Sequence, residues 1–226
     1  MRAIPTTSPR RRPRQARAQA TVDAIVKATA RVLVEEGYDR ASTNRIAHAA
    51  GVSIGSLYQY FPSKEALVAA LVESHQSRMR DALDQALALG QPVAFGGPGS
   101  LEARARMVVR GMMAAYRIDP QLHHVLCQEV PKVGELKKVY GFEQHLAEVC
   151  RRELFSASEH IRLNDVDRGV FLIVHAVPSV VRAAIQSDAT GEGDVKLADE
   201  LTDMIVRYLA ADTIATTTGT AATAAA

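Results

Sequence analysis

The sequence predicts an all-α protein, and three observations lead there. Leucine, valine and alanine supply most of the apolar mass, with 5% aromatics and no tryptophan, a composition that favours helices. Apolar residues recur at spacings of three, four and seven along most of the chain, and no alternating stretch marks a strand. The interruptions fall at glycine and proline, where helices stop. The 226 residues suffice for one or two domains with a real core. The longest apolar runs are a few residues, far short of the roughly 20 needed to span a bilayer, so no integral membrane protein is expected. Two cysteines, Cys127 and Cys150, make no disulfide framework, and nothing at the N-terminus reads as a signal peptide. A reducing cytoplasmic setting follows.

The elements follow in chain order. Residues 1–17 combine proline, threonine and serine with six arginines, among them Arg12, Arg14 and Arg17, and read as a disordered basic arm. From Gln19, Val22, Ile25, Val26, Val32 and Leu33 form one helix face. Thr29 falls on it with its hydroxyl bonded one turn back. Gly37 stops that helix, and Tyr38 packs back. Thr43 is read as the N-cap of a short helix to Ala49 or Ala50, with Ile46 and Ala49 facing inward. Gly51 takes the turn, and Ser53 caps a second short helix from Ile54 to Tyr60 with Leu57 inward. Pro62 ends it. Ser63 then caps a long helix over 64–89 whose stripe is Leu67, Leu71, Met79, Leu83 and Leu87. Residues 90–100, with four glycines and two prolines, form a loop. Helices follow over 101–118, 120–129, 135–157, 164–187 and 194–210, and a low-complexity Thr/Ala tail closes the chain. The domains are therefore the arm (1–17), a helix-turn-helix unit (18–65), a helical domain (66–210) and the tail (211–226).

Charge separates these parts. Residues 1–64 carry 11 basic and 4 acidic side chains, whereas the rest carries 16 and 21. The N-terminal part is built to sit on something negative. Helix, glycine turn and helix beside a basic arm is a design that sets its second helix in a DNA major groove. That helix exposes Ser53, Ser56, Gln59 and Tyr60, all hydrogen-bonding and none acidic. Thr43, Arg45, Tyr58 and Lys64 are placed to grip phosphates, while Gln59 and Ser56 reach base edges. Gly55 lets the face approach closely.

These residues resemble the DNA-binding domain of the tetracycline-repressor (TetR) family of bacterial regulators. The resemblance covers residues 21–71. It rests on Glu36-Gly37-Tyr38, Ser42-Thr43, Ile46-Ala47, Ala50-Gly51-Val52-Ser53, Gly55-Ser56-Leu57-Tyr58, Tyr60-Phe61, Ser63-Lys64-Glu65 and Leu67. The family commonly has histidine where Tyr60 stands; tyrosine keeps a ring and a donor. The resemblance implies an all-helical homodimer with a C-terminal ligand-binding domain, repressing from an operator until a small molecule releases it. Residues 90–226 bear no comparable signature, so the effector is not implied.

Other chemistry is scarce. His123 and Cys127 stand at i and i+4 beside His124, but no further ligands follow at a fixed spacing, so no metal is expected. There is no phosphate loop, nucleophile elbow or zinc-protease helix, so neither enzyme activity nor a cofactor is expected. A small-molecule effector is expected among the helices of 101–187, with Met107, Tyr116, His123, Cys127, Phe142, His145, Phe171 and His175 as candidate walls. Val170, Val174, Val177 and Val181 repeat at four, three and four, a seam for a partner helix. With Leu201, Met204, Ile205 and Tyr208 of the last helix they are the expected dimer interface. The partners expected are thus double-stranded operator DNA, an effector and a second copy. Two other readings stay open: a regulator without a small ligand (an activator or a protein-controlled switch), and a helical interaction protein whose basic arm is incidental.

Overall fold

A computed structural model describes residues 16–89, 100–129, 141–155, 161, 165–187 and 192–210. The arm through Gln15 with Arg12 and Arg14, the glycine loop over 90–99, the start (135–140) of the expected 135–157 helix and the tail from 211 lie outside the described residues. Among the described residues the architecture is helical throughout, with one isolated bridge between Ile161 and Ala210. The helices are α1 (Ala16–Arg40), α2 (Thr43–Ala50), α3 (Ile54–Tyr60), α4 (Lys64–Leu89), α5 (Leu101–Tyr116), α6 (Pro120–Glu129), α7 (Gly141–Cys150), α8 (Val166–Gln186) and α9 (Glu192–Leu209). A π turn, Arg151–Phe155, extends α7.

Local chemistry explains the boundaries. Gly37 has φ 76° and ψ 168°, a conformation open essentially to glycine alone and costing another residue about 1–3 kcal/mol; it breaks α1 and lets Tyr38 bury. Thr29 donates to the Ile25 carbonyl at 2.8 Å and is fully buried. Its hydroxyl is satisfied within the helix, as the stripe required. Two expectations need correcting. The N-cap of α2 is Ser42, whose hydroxyl accepts from the Arg45 amide at 3.2 Å, and Thr43 is the first helical residue. Arg17, assigned to the irregular arm, stands in the first turn of α1, where its carbonyl accepts from Thr21.

Two cores form. The N-terminal one gathers Ile25, Val32 and Leu33 of α1, Ile46 and Ala47 of α2, Leu57, Phe61 and the first half of α4. The second gathers Met79 and Leu83 of α4 with α5 and α7–α9. Helix α4 thus belongs to both. So does the C-terminal segment in a less expected way: Leu122 and Leu126 of α6 are buried in the N-terminal core. Gly111 brings α5 onto α4, for a Cβ there would lie 2.6 Å from Leu83 Cδ1.

The expected dimer seam is overturned in part. Val170, Val174, Val177 and Val181 are buried in the chain's own C-terminal core with Leu201 and Ile205, and half-buried Tyr208 packs against it. Met204 alone of that set is exposed. Apolar spacing identifies a buried face without identifying what buries it. Helix α8 also carries apolar side chains away from that stripe: Phe171, Leu172 and Val180 are exposed, as is Val166 in its first turn. With both sets α8 is long and apolar enough to resemble a membrane span by length and composition, although its inner face is core.

Candidate functional site

The N-terminal unit is a helix-turn-helix held at each joint by its own residues. Gly51 closes α2 with φ 69° and its amide bonded to the His48 carbonyl, and the Val52 amide bonds to Ala47. Ser53 caps α3 by accepting from the Ser56 amide at 3.0 Å. Ile46, Ala47 and Leu57 turn inward, which fixes the outward face. Arg31 of α1 donates to the Ala49 carbonyl at 2.9 Å, tying α1 to the end of α2. The Thr43 and Tyr58 hydroxyls meet at 3.0 Å and link the outer sides of α2 and α3.

The outward face of α3 presents Ser53, Ile54, Gly55, Tyr58 and Gln59, with Ser56 and Tyr60 half-exposed. Tyr60 also packs against the N-terminal core. Between Ala41 and Lys64 the chain holds no acidic residue, so nothing on this face opposes a polyanion. Ile54 was not among the expected contacts; its exposure at the start of α3 suits a thymine methyl. All four expected phosphate ligands already have partners: Thr43 and Tyr58 bond to each other. Arg45 Nε donates to Glu36 at 2.6 Å, while its side chain stays 45% exposed. Lys64 Nζ donates to the Tyr38 carbonyl at 2.9 Å and lies 4.1 Å from that ring's centroid. Burial, then Glu65 and Asp39, push the Tyr38 phenol up to about 12, so the ring is neutral.

A second site lies between α5, α6 and α8. Tyr116, Pro120, His123, His124, Cys127, Gln128, Arg182, Ile185 and Gln186 line a small open cleft of about 60 Å³. Tyr116 stands edge-on to His123 at 5.0 Å and to Phe142 at 5.5 Å. His123 Nε2 lies 3.4 Å from Cys127 Sγ, and His123 Nδ1 lies 3.3 Å from Nε2 of His75 on α4. Burial first, then Arg78, pushes His75 down to about 4. Burial also lowers His123 to about 4, with help from His75, Arg182 and His124. Both imidazoles are therefore neutral near pH 7. Burial raises the Cys127 thiol, and it takes Cys150 up to about 12, so both remain thiols. Among the described residues no set of three or more His, Cys, Asp or Glu side chains is placed to hold a metal ion.

Of the expected walls, Tyr116, His123 and Cys127 line the cleft, and Phe142 packs on Tyr116. The others stand elsewhere. His145 pairs with Asp84 at 2.9 Å. Phe171 and His175 meet edge to face, ring centroids 4.3 Å apart, on the exposed face of α8. Met107 is half-buried and outside the lining. Sequence reasoning missed His75, which meets His123, and Arg182 on the cleft wall. His75 is a buried polar residue of α4, and no apolar stripe test detects it.

Comparison with known proteins gives two domain matches. Residues 25–71 match the model described as "Bacterial regulatory proteins, tetR family", and residues 100–209 match "Tetracyclin repressor-like, C-terminal domain". The A-factor receptor protein of Streptomyces griseus is 35% identical over 106 residues, 44% of this chain and 38% of that protein. The nucleoid occlusion factor SlmA of Haemophilus ducreyi is 54% identical over 39 residues, 17% of this chain and 19% of that protein. The chain thus spans well under two thirds of the length of these curated relatives. Among solved structures, NalD, the secondary repressor of the MexAB-OprM multidrug efflux pump in Pseudomonas aeruginosa, superposes with a TM-score of 0.63 at 18% identity. That match covers 88% of this chain and all of NalD, and shares the fold.

Proposed function

The chain belongs to the tetR family of bacterial regulatory proteins, and on that premise we propose that it is a cytoplasmic transcriptional repressor released from its operator by a small molecule. The observation that carries this reading is mechanical continuity between the two sites. Helix α6 turns His123 and Cys127 towards the cleft and buries Leu122 and Leu126 in the core that supports α2 and α3. Helix α4 begins in that same core and ends in the other. A ligand that displaces α6 or α4 therefore works directly on the seat of the recognition helix. Tenfold weaker DNA binding needs only about 1.4 kcal/mol of preference between two conformations.

The operator would be a near-palindrome bound by two copies, because each chain offers one recognition helix. The interface we propose is the outer face of α8 (Phe171, Leu172, Val180) with Val195 and Met204 of α9, which are exposed apolar residues. Footprinting upstream of the protein's own gene and its neighbours, then repeating it with candidate metabolites, tests the reading. A protected palindrome that disappears on adding one metabolite supports it. A footprint that no metabolite stabilising the protein alters would leave a regulator without small-ligand control.

A further inference from the structure

The cleft between α6 and α8 contains a cation without a counter-ion among the described residues. Arg182 of α8 lies on its wall, its guanidinium carbon 5.7 Å from the Tyr116 ring centroid and Nη2 donating to Ser179 Oγ at 3.1 Å. No carboxylate of the described residues lies within ion-pair distance of it. Several arginines elsewhere in this domain are matched, Arg106 with Glu102 and Asp199, Arg117 with Asp194 and Arg151 with Asp167, and Arg104 donates to the Glu153 backbone carbonyl; what distinguishes Arg182 is that it stands on the wall of a cleft. Glu143 of α7 acts on Tyr116 and Cys127 through space but does not pair with Arg182. The rest of the wall is uncharged near pH 7 where Tyr116, His123 and Cys127 face it. Gln186 and His124 bond across from α8 to α6 at 2.9 Å, and Pro120 and Ile185 add apolar surface.

We propose that this cleft takes a compact carboxylic acid as its anion, with Arg182 as the counter-ion and the apolar body of the ligand against Pro120 and Ile185. A guanidinium offers two parallel N–H donors that match the two oxygens of a carboxylate. One arginine neutralises one charge. A phosphate monoester brings about −1.5 to −2 and would leave a surplus in the cleft. A cationic ligand would face Arg182 directly. The inference rests on reading the cleft as the effector site.

The test is calorimetric titration of the full-length protein with hexanoate, octanoate and benzoate, each beside its primary amide, and repetition with Arg182→Gln and Arg182→Lys. At least one acid should bind about tenfold or more tightly than its amide. Arg182→Gln should abolish that preference and Arg182→Lys should retain part of it. Amides that bind as well as the acids, an acid preference that survives in Arg182→Gln, or no saturable binding of any acid at millimolar concentration would each overturn the proposal. Should Arg182→Gln fail to fold, judged by its helical circular dichroism, the acid–amide comparison on the unaltered protein decides alone. Operator binding is followed in parallel. An acid held through Arg182 that leaves operator affinity unchanged refutes ligand-controlled release and keeps the site. Operator release by a neutral metabolite, with no acid bound, does the reverse.

Discussion

Gln59 has the amide to read a base edge and stands exposed on α3, whereas Lys64 is anchored on Tyr38. The two should therefore fail differently. Gln59→Ala should narrow the affinity gap between operator and scrambled duplex, since removing a bidentate base contact costs about 1–3 kcal/mol of discrimination. Lys64→Ala should weaken both duplexes alike and, without its hold on Tyr38, lower stability by about 1 kcal/mol. Fluorescence anisotropy on both duplexes, with urea melts, separates the cases; a change of base preference in Lys64→Ala would reverse the roles. In the interior, His75 and His123 make a second prediction. Their folded pKa values, pushed down to about 4 from 6.5, mean that between those values the unfolded chain binds protons that the fold refuses. Stability should be full above pH about 6.5 and fall as the pH drops towards 4. The groups facing the pair are Arg78, Arg182 and His124, with Tyr116 and Cys127, both held neutral by burial; none of them supplies a compensating negative charge. The urea midpoint should fall between pH 7 and pH 5, and His75→Gln should flatten that fall. A midpoint that does not move over this range would mean that the two imidazoles take up protons in the fold as readily as in the unfolded chain.

Helix α8 carries buried and exposed apolar side chains with different fates. Val174→Ala removes methyl groups from a buried site, so it should destabilise the fold by about 1–3 kcal/mol and leave the association state of the folded protein unchanged. Phe171→Arg alters a side chain that is 60% exposed. It should leave the fold intact and shift the protein from dimer to monomer in analytical ultracentrifugation. If Phe171→Arg with Val180→Glu still sedimented as a dimer, the outer face of α8 would not be the interface. The same helix shows how far the sequence could be read. The 4-3-4 valine spacing identified a buried face, but periodicity cannot say whether the chain or a partner covers it. Helix ends were legible because their signals are local: Gly37, Gly51, Ser53 and Pro62 act within one turn. The fall of α6 into the N-terminal core was not, because Leu122 and Leu126 make an ordinary stripe whichever core receives them. Arg182 and His75 escaped for the opposite reason. A polar residue on a long helix reads as solvated until a neighbouring helix is seen to cover it.

At the scale of the whole molecule, charge is concentrated where DNA would lie. The first 64 residues hold 11 of the 27 basic side chains and 4 of the 25 acidic ones. The two α3 faces of a dimer would bring the reading chemistry, while much of the affinity would come from phosphate contacts shared between the body and the basic N-terminal arginines. If the dimer neutralises roughly six to ten phosphates, log K should fall against log salt with a slope of about −5 to −9. Deleting residues 1–15 removes five arginines, Arg2, Arg10, Arg11, Arg12 and Arg14, and spares α1, which begins at Ala16. The truncated protein should keep its helical circular dichroism and its melting temperature. Its salt slope should become shallower by close to one for each phosphate that the arm no longer neutralises, and its affinity should drop most at low salt, where that term is largest. Affinity and slope both unchanged by the deletion would mean that the arginines touch no phosphate, and that the α2–α3 unit alone supplies the binding.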